Sequence, residues 1–146
     1  DANILHFATH GILNSNNPLY SALVLSASPD SSEDGLLEAW ELMEMKLSAN
    51  LAVLSACETA RGHTAGEGIV GLSWAFFVAG VPRVVASQWK VESKSTSDLM
   101  NLFYKNLKTD NPLSVPKALQ QSMIQRIRTS NRKHPFYWAG FIAIGG

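Results

Sequence analysis

His10 and Cys57 are the residues of this chain whose types and positions best suit nucleophilic chemistry. Each follows an apolar run: ILHFAT leads to His10-Gly11, and LAVLSA leads to Cys57. Neighbouring parallel strands lie about 4.8 Å apart. If the two runs are such neighbours, an imidazole and the single thiol of the chain share one rim. A free thiol with a pKa of about 8.5 is mostly protonated at neutral pH, and a nearby histidine lowers that pKa and favours a thiolate–imidazolium pair. A cysteine closing a strand also presents its backbone N–H to the rim. Gly11 has no side chain to screen its own N–H. Two such donors can form an oxyanion hole. Against this stands the plainer alternative, in which a lone cysteine is a small buried hydrophobe and a lone histidine a packed residue.

The other histidines compete less well. His6 shares the strand parity of His10 but lies deeper along the strand, and packing is expected for it. His63 lies in the segment after Cys57, within reach of the thiol but with less positional control. His134 precedes Pro135 and reads as structural. No cysteine–histidine pair has the close spacing of zinc ligands, so no metal site is expected. Two glycine motifs invite other chemistry. Gly66, Gly68 and Gly71 match the dinucleotide fingerprint, but that motif needs a strand running straight into the glycine turn. Here residues 57–65 intervene, which favours a glycine-rich helix start. The stretch Gly71-Leu72-Ser73-Trp74-Ala75 half-matches a nucleophile elbow, yet it lies in a helical run and lacks the final glycine.

The elements that must position these groups follow from hydrophobic pattern. Runs at residues 4–8, 51–56, 81–87 and 138–144 are continuously apolar, as expected of strands covered on both faces. Helical periods fall at residues 36–45, at 68–79 ending on Gly80, and at Leu99, Leu102, Phe103 and Leu107. Val115, Leu119, Met123 and Ile127 form another stripe. Ser95 and Asp98 are spaced as a capping box for the third helix. Residues 14–34 read as a long polar loop with a small hairpin around residues 22–25. Strands alternating with helices imply an α/β fold, a mostly parallel sheet with helices on both faces. In such sheets reactive residues gather at the carboxyl ends of the strands.

Composition narrows the class. The chain has 146 residues, 46% hydrophobic and 16% charged, which is the balance of one soluble globular domain. One cysteine excludes an internal disulfide framework. There is no membrane-length apolar run and no signal-peptide pattern, so a cytoplasmic location is expected. The net charge is zero, but residues 1–60 hold eight acidic side chains and one basic one, whereas residues 61–146 hold four acidic and eleven basic. The densest basic group, Arg126, Arg128, Arg132 and Lys133, falls near a helix end, where cations suit the dipole. Direct nucleic-acid binding is therefore not the expected role. The sequence opens almost directly on a two-sided strand, which leads to the expectation that preceding strands belong to the same fold and are missing here.

Certain segments are familiar. THG at Thr9–Gly11, LAVLSACETA at residues 51–60, GEGIVGLSWAFFVAGVPRVVASQW at residues 66–89 and HPFYWAGFIAIGG at residues 134–146 together resemble the CHAT domain, a caspase-like cysteine peptidase family related to separase. They span nearly the whole chain in the family's order. The resemblance implies a caspase–hemoglobinase three-layer α/β/α sandwich, of which residues 1–146 would be the C-terminal part. It also implies a cysteine endopeptidase acting on protein substrates, with His10 as general base and acid, and Cys57 as nucleophile. The N–H groups of Gly11 and Cys57 would form the oxyanion hole, and no cofactor is implied. A regulatory partner or region built of tetratricopeptide (TPR) repeats is implied as well. One departure bears on specificity. The family usually reads W-P-V-D-D where this chain reads Trp89-Lys90-Val91-Glu92-Ser93. Trp89, Glu92 and Ser93 are thus the candidate substrate-pocket residues, with one carboxylate kept and a preference for a basic residue before the cut in question. The alternative is a catalytically inactive CHAT-like module for protein interaction or signalling.

Overall fold

The structure is a computed structural model that describes residues 2–27, 34–55, 57–58, 65–90, 92–108 and 114–146, with backbone alone for 57–58 and 65–69. Its elements in order are β1 (Ile4–Phe7), β2 (His10–Ile12), β3 (Ala22–Val24), β4 (Leu36–Glu38), α1 (Ala39–Glu44), β5 (Leu51–Leu54), β6 (Cys57–Glu58) and α2 (Ala65–Val78). Then follow β7 (Arg83–Ser87), α3 (Ser93–Leu107), α4 (Val115–Thr129) and β8 (Phe141–Gly145). Short 3-10 turns occupy Pro18–Tyr20 and Pro135–Tyr137.

The main sheet has the order β1-β5-β7-β8. β1, β5 and β7 are parallel, and β8 closes the edge antiparallel to β7. Alternate residues of a strand face opposite sides, and here both sides are apolar. Ala52, Leu54, Val84 and Ala86 join Leu42, Leu72, Ala75 and Phe76 in one core. Leu51, Val53, Val85 and Phe141 join Leu99, Phe103, Ala118 and Leu119 in another. The sheet is thus the middle layer of an α/β sandwich, with α1 and α2 on one face and α3 and α4 on the other. This double coverage is why the strand sequences lack polar alternation.

A second, smaller sheet has the order β4-β3-β2-β6. It was not anticipated as a separate sheet. Two of the expected strands form β1 and β5, and beyond the end of each the chain enters a further short strand of this second sheet, β2 or β6. Part of the expected loop at residues 14–34 forms a 3-10 turn and β3. The expected helix at residues 36–45 begins as β4, which pairs with β3, so α1 is short. Glu38 and Glu41 make reciprocal capping bonds at its start.

Helix boundaries follow recognisable chemistry. α2 ends at Gly80, whose φ of +104° is open to glycine and costly for other residues. The Gly80 N–H donates to the Phe77 carbonyl at 3.0 Å, and the Val81 N–H to that of Phe76 at 2.9 Å, a Schellman closure. The expected Ser95/Asp98 box does not start α3. Glu92 is its N-cap and accepts from the Ser95 N–H, while Asp98 pairs with Arg126 of α4 at 3.2 Å. α2 also departs from the burial its composition implies. Val70, Trp74 and Val78, spaced four apart, are 62%, 61% and 47% exposed.

Candidate active site

β2 and β6 pair in parallel, with His10 the Cα partner of Cys57 and Gly11 that of Glu58. The pair sits just beyond the carboxyl ends of β1 and β5, which are themselves parallel partners ending at Phe7 and Leu54. On its other side β2 pairs antiparallel with β3, Gly11 opposite Leu23, so Gly11 is buried between two strands. The Thr9 hydroxyl donates to the Val24 carbonyl and ties the passage from β1 into β2 against β3.

His10 is exposed on the wall of a cleft of about 620 Å³. The cleft lies between the carboxyl ends of β1 and β5 and the first turns of α3. Ala8, Thr9, Ser55, Ser93, Thr96, Met100 and Tyr104 line it, and so does His6. His6 is therefore not packed as expected; it is exposed, and its ring opens to the cleft. It stands one residue before the end of β1, with the Tyr104 ring of α3 at a centroid distance of 5.6 Å, and so sits at the rim of the sheet and not in the core. The inner edge is enclosed by hydrogen bonds. Nε2 lies 3.0 Å from the Ser55 hydroxyl, and Nδ1 lies 2.8 Å from the Tyr104 hydroxyl. Burial of that edge lowers the His6 pKa from its ordinary value, so the ring is neutral at pH 7. Burial raises the Tyr104 phenol to about 12, so it stays protonated.

Ser93 lines the cleft with His10, but Glu92 and Trp89 are not among the described residues that do. The Glu92 carboxylate accepts from the Ser95 hydroxyl at 2.6 Å and from the Arg132 guanidinium. These bonds, Ser95's first, hold it below the usual carboxylate range. Trp89 packs against the core under α3 and α4, and its indole N–H donates to the Phe136 carbonyl at 3.3 Å. The other singled-out residues fall elsewhere. His134 caps the second 3-10 turn, accepting from the Phe136 N–H at 3.2 Å. His63 lies outside the described residues. Gly66, Gly68 and Gly71 lie within α2. Gly71 serves packing there: a Cβ would stand 3.0 Å from the Cβ of Pro18. Ser73 is buried within α2. Among the described residues, no three histidine, cysteine or acidic side chains are placed to hold a metal. Nor is any helix among them long and apolar enough to cross a membrane.

The Ser55–His6–Tyr104 chain escaped the sequence reading. Half of its signal was present, since Ser55 stands two residues before Cys57 and His6 four before His10. Tyr104 is 98 residues from His6 and is brought in by the packing of α3 on the sheet.

The family profile for the CHAT domain matches residues 1–146. The chain is also similar to two curated proteins, both called tetratricopeptide repeat protein 28. The mouse protein is 34% identical over 110 residues, 75% of this chain and 4% of that protein. The human protein is 30% identical over 110 residues, with the same coverage of 75% and 4%. The chain thus spans a small fraction of the length of these relatives. With a CHAT profile running its whole length, on an α/β fold with a mostly parallel sheet, this chain belongs to the CHAT domain family, a caspase-like family.

Proposed function

We propose that this domain is a cysteine endopeptidase core acting through His10 and Cys57. The observation that carries the reading is the parallel register of β2 and β6, in which His10 and Cys57 are Cα partners beside an open cleft. In this reading His10 takes the thiol proton, and the thiolate attacks the carbonyl carbon of the scissile peptide bond. The N–H groups of Gly11 and Cys57 receive the oxyanion. His10 then returns the proton to the departing amine, leaving an acyl-enzyme. Water, deprotonated by His10, releases the acyl group and restores the thiol. The substrate side chain before the cut enters the cleft beside Ser93. Repeat regions of the TPR type, named in the two curated relatives, are the proposed source of control, and the cytoplasm the proposed location.

One observation favours a second reading, an inactive interaction module. Glu92, the one carboxylate kept from the acidic family motif, is engaged by Ser95 and Arg132 rather than lining the cleft. Turnover of a peptide library by the wild-type chain and by Cys57→Ala separates the two. Cleavage lost in the variant is the expected result. A folded wild-type chain that cleaves nothing, with and without a TPR-repeat partner, overturns the peptidase reading.

A further inference from the structure

The cleft holds a second set of groups arranged for nucleophilic chemistry, and the peptidase reading does not use it. A hydroxyl, an imidazole and a phenol form one hydrogen-bonded chain: Ser55 Oγ to His6 Nε2 at 3.0 Å, and His6 Nδ1 to the Tyr104 hydroxyl at 2.8 Å. This is the order in which a nucleophile, its base and the group orienting that base must stand. The three come from β1, the end of β5 and α3, so each has a separate rigid support. His6 and Ser55 are further fixed by strand pairing, with His6 opposite Val53 and the Ser55 N–H bonded to the Phe7 carbonyl at 2.9 Å. All three side chains face the cleft, so a small molecule entering it meets the hydroxyl directly.

We infer that Ser55, with His6 as base and Tyr104 as positioning residue, is an acyl-accepting nucleophile for small uncharged esters. The chemistry requires the His6 tautomer with its proton on Nδ1. That N–H donates to the phenol oxygen, and the bare Nε2 accepts from the Ser55 hydroxyl. Ser55 Oγ attacks the ester carbonyl carbon and its proton passes to His6 Nε2. The C–O bond to the alcohol breaks, and His6 gives the proton to the departing alkoxide. Water then attacks the acyl-serine, loses a proton to His6, and the proton returns to Oγ as the acid leaves. The uncharged class fits the lining, which among the described residues holds no carboxylate, lysine or arginine and, beside the histidines, offers methyl, thioether, amide and hydroxyl surface. A phenol orients an imidazole without a full negative charge, so reactive esters are favoured over amides. The assignment stands apart from the roles given to His10 and Cys57.

The test uses a biotin-linked alkyl fluorophosphonate. Ser55 Oγ attacks phosphorus, the P–F bond breaks, fluoride leaves and the hydroxyl proton goes to His6. The chain and its Cys57→Ala variant are both labelled, and fragment masses locate the adduct. The expected result is a phosphonyl group on Ser55 in both proteins, forming roughly 100-fold more slowly in His6→Gln. Tyr104→Phe should label roughly tenfold more slowly and shift the pH at which the rate levels off, which a merely structural tyrosine leaves in place. If His6→Gln does not fold, the pH profile of the unmutated chain decides. A rate that climbs with pH and levels off below 6.5, the ordinary histidine value, supports His6 as base. The assignment is overturned if Ser55 carries no adduct in the folded chain. It is also overturned if His6→Gln labels at the same rate, or if the rate still climbs above pH 8.

Discussion

The pairing of His10 and Cys57 makes a prediction whose size can be worked out from the register. Strand partners in parallel sheets stand about 4.8 Å apart. An opposite charge at about 4–6 Å lowers an acid's pKa by about 1–3 units. A thiol moved by the middle of that range titrates about two units below its free value of about 8.5. At pH 7 the thiolate fraction then rises from about 3% to about 76%, about 25-fold. The paired thiolate is also a weaker nucleophile, by about eightfold for a Brønsted coefficient of about 0.45. The net gain in alkylation rate at pH 7 is only about threefold. The rate at one pH is therefore a poor test, and the titration midpoint is a good one. Iodoacetamide alkylation should be followed across pH 5–10 in the wild-type chain and in His10→Ala, with circular dichroism confirming that both are folded. The single cysteine makes the readout unambiguous. The expected midpoint lies below that of a free thiol in the wild type and returns upward in His10→Ala. A midpoint near 8.5 in both proteins would refute the pairing.

Three further outcomes follow from packing and linkage. Burial lowers the folded pKa of His6 below its unfolded value, so between the two values the unfolded chain binds more protons and stability rises with pH. Urea melts should show the wild type losing stability relative to His6→Gln as pH falls below 6.5, with no change in the difference at higher pH. Gly80→Ala meets a φ of +104° and brings Cβ to 2.9 Å from the Leu47 carbonyl oxygen. The expected cost is about 1–3 kcal/mol, read as a lower denaturant midpoint at unchanged slope. Phe103 is fully buried between the sheet, α3 and α4, so Phe103→Ala should cost about 3–5 kcal/mol in the same assay.

What could be read in advance depended on how local its cause was. The runs that became β1, β5, β7 and β8 are legible because double coverage leaves them mostly apolar, without polar alternation. α2 ends where Gly80 says it should. Two runs ending alike make His10 and Cys57 candidates for one rim if the runs are neighbours, and their backbones are strand partners. The short strands β2 and β6 that follow two of these runs are not legible, because β2 is held by pairing with β3, from a stretch that reads as a loop with a small hairpin. α1 was misjudged for a related reason. Leu36 and Leu37 fit a helical period as well as a strand, and pairing with β3 decides for the strand. The start of α3 turned on a choice between two carboxylates. Asp98 has the capping-box spacing, but Arg126 from α4 claims it, and Glu92 takes the cap. Tyr104 could not be tied to His6 from sequence, since only tertiary packing of α3 joins them.

The change of sheet between β1 and β2, matched by that between β5 and β6, has a mechanical consequence. The backbones of His10 and Cys57 ride on the small sheet, while His6 and Ser55 belong to the ends of the large one. The small sheet rests on the α1–α2 layer through Leu23 and Leu37, and α3 forms the far wall of the cleft. A tilt of the small sheet therefore carries the His10 and Cys57 backbones together, like two teeth on one jaw. Their spacing is preserved, and what changes is their placement relative to His6 and Ser55 at the ends of the large sheet.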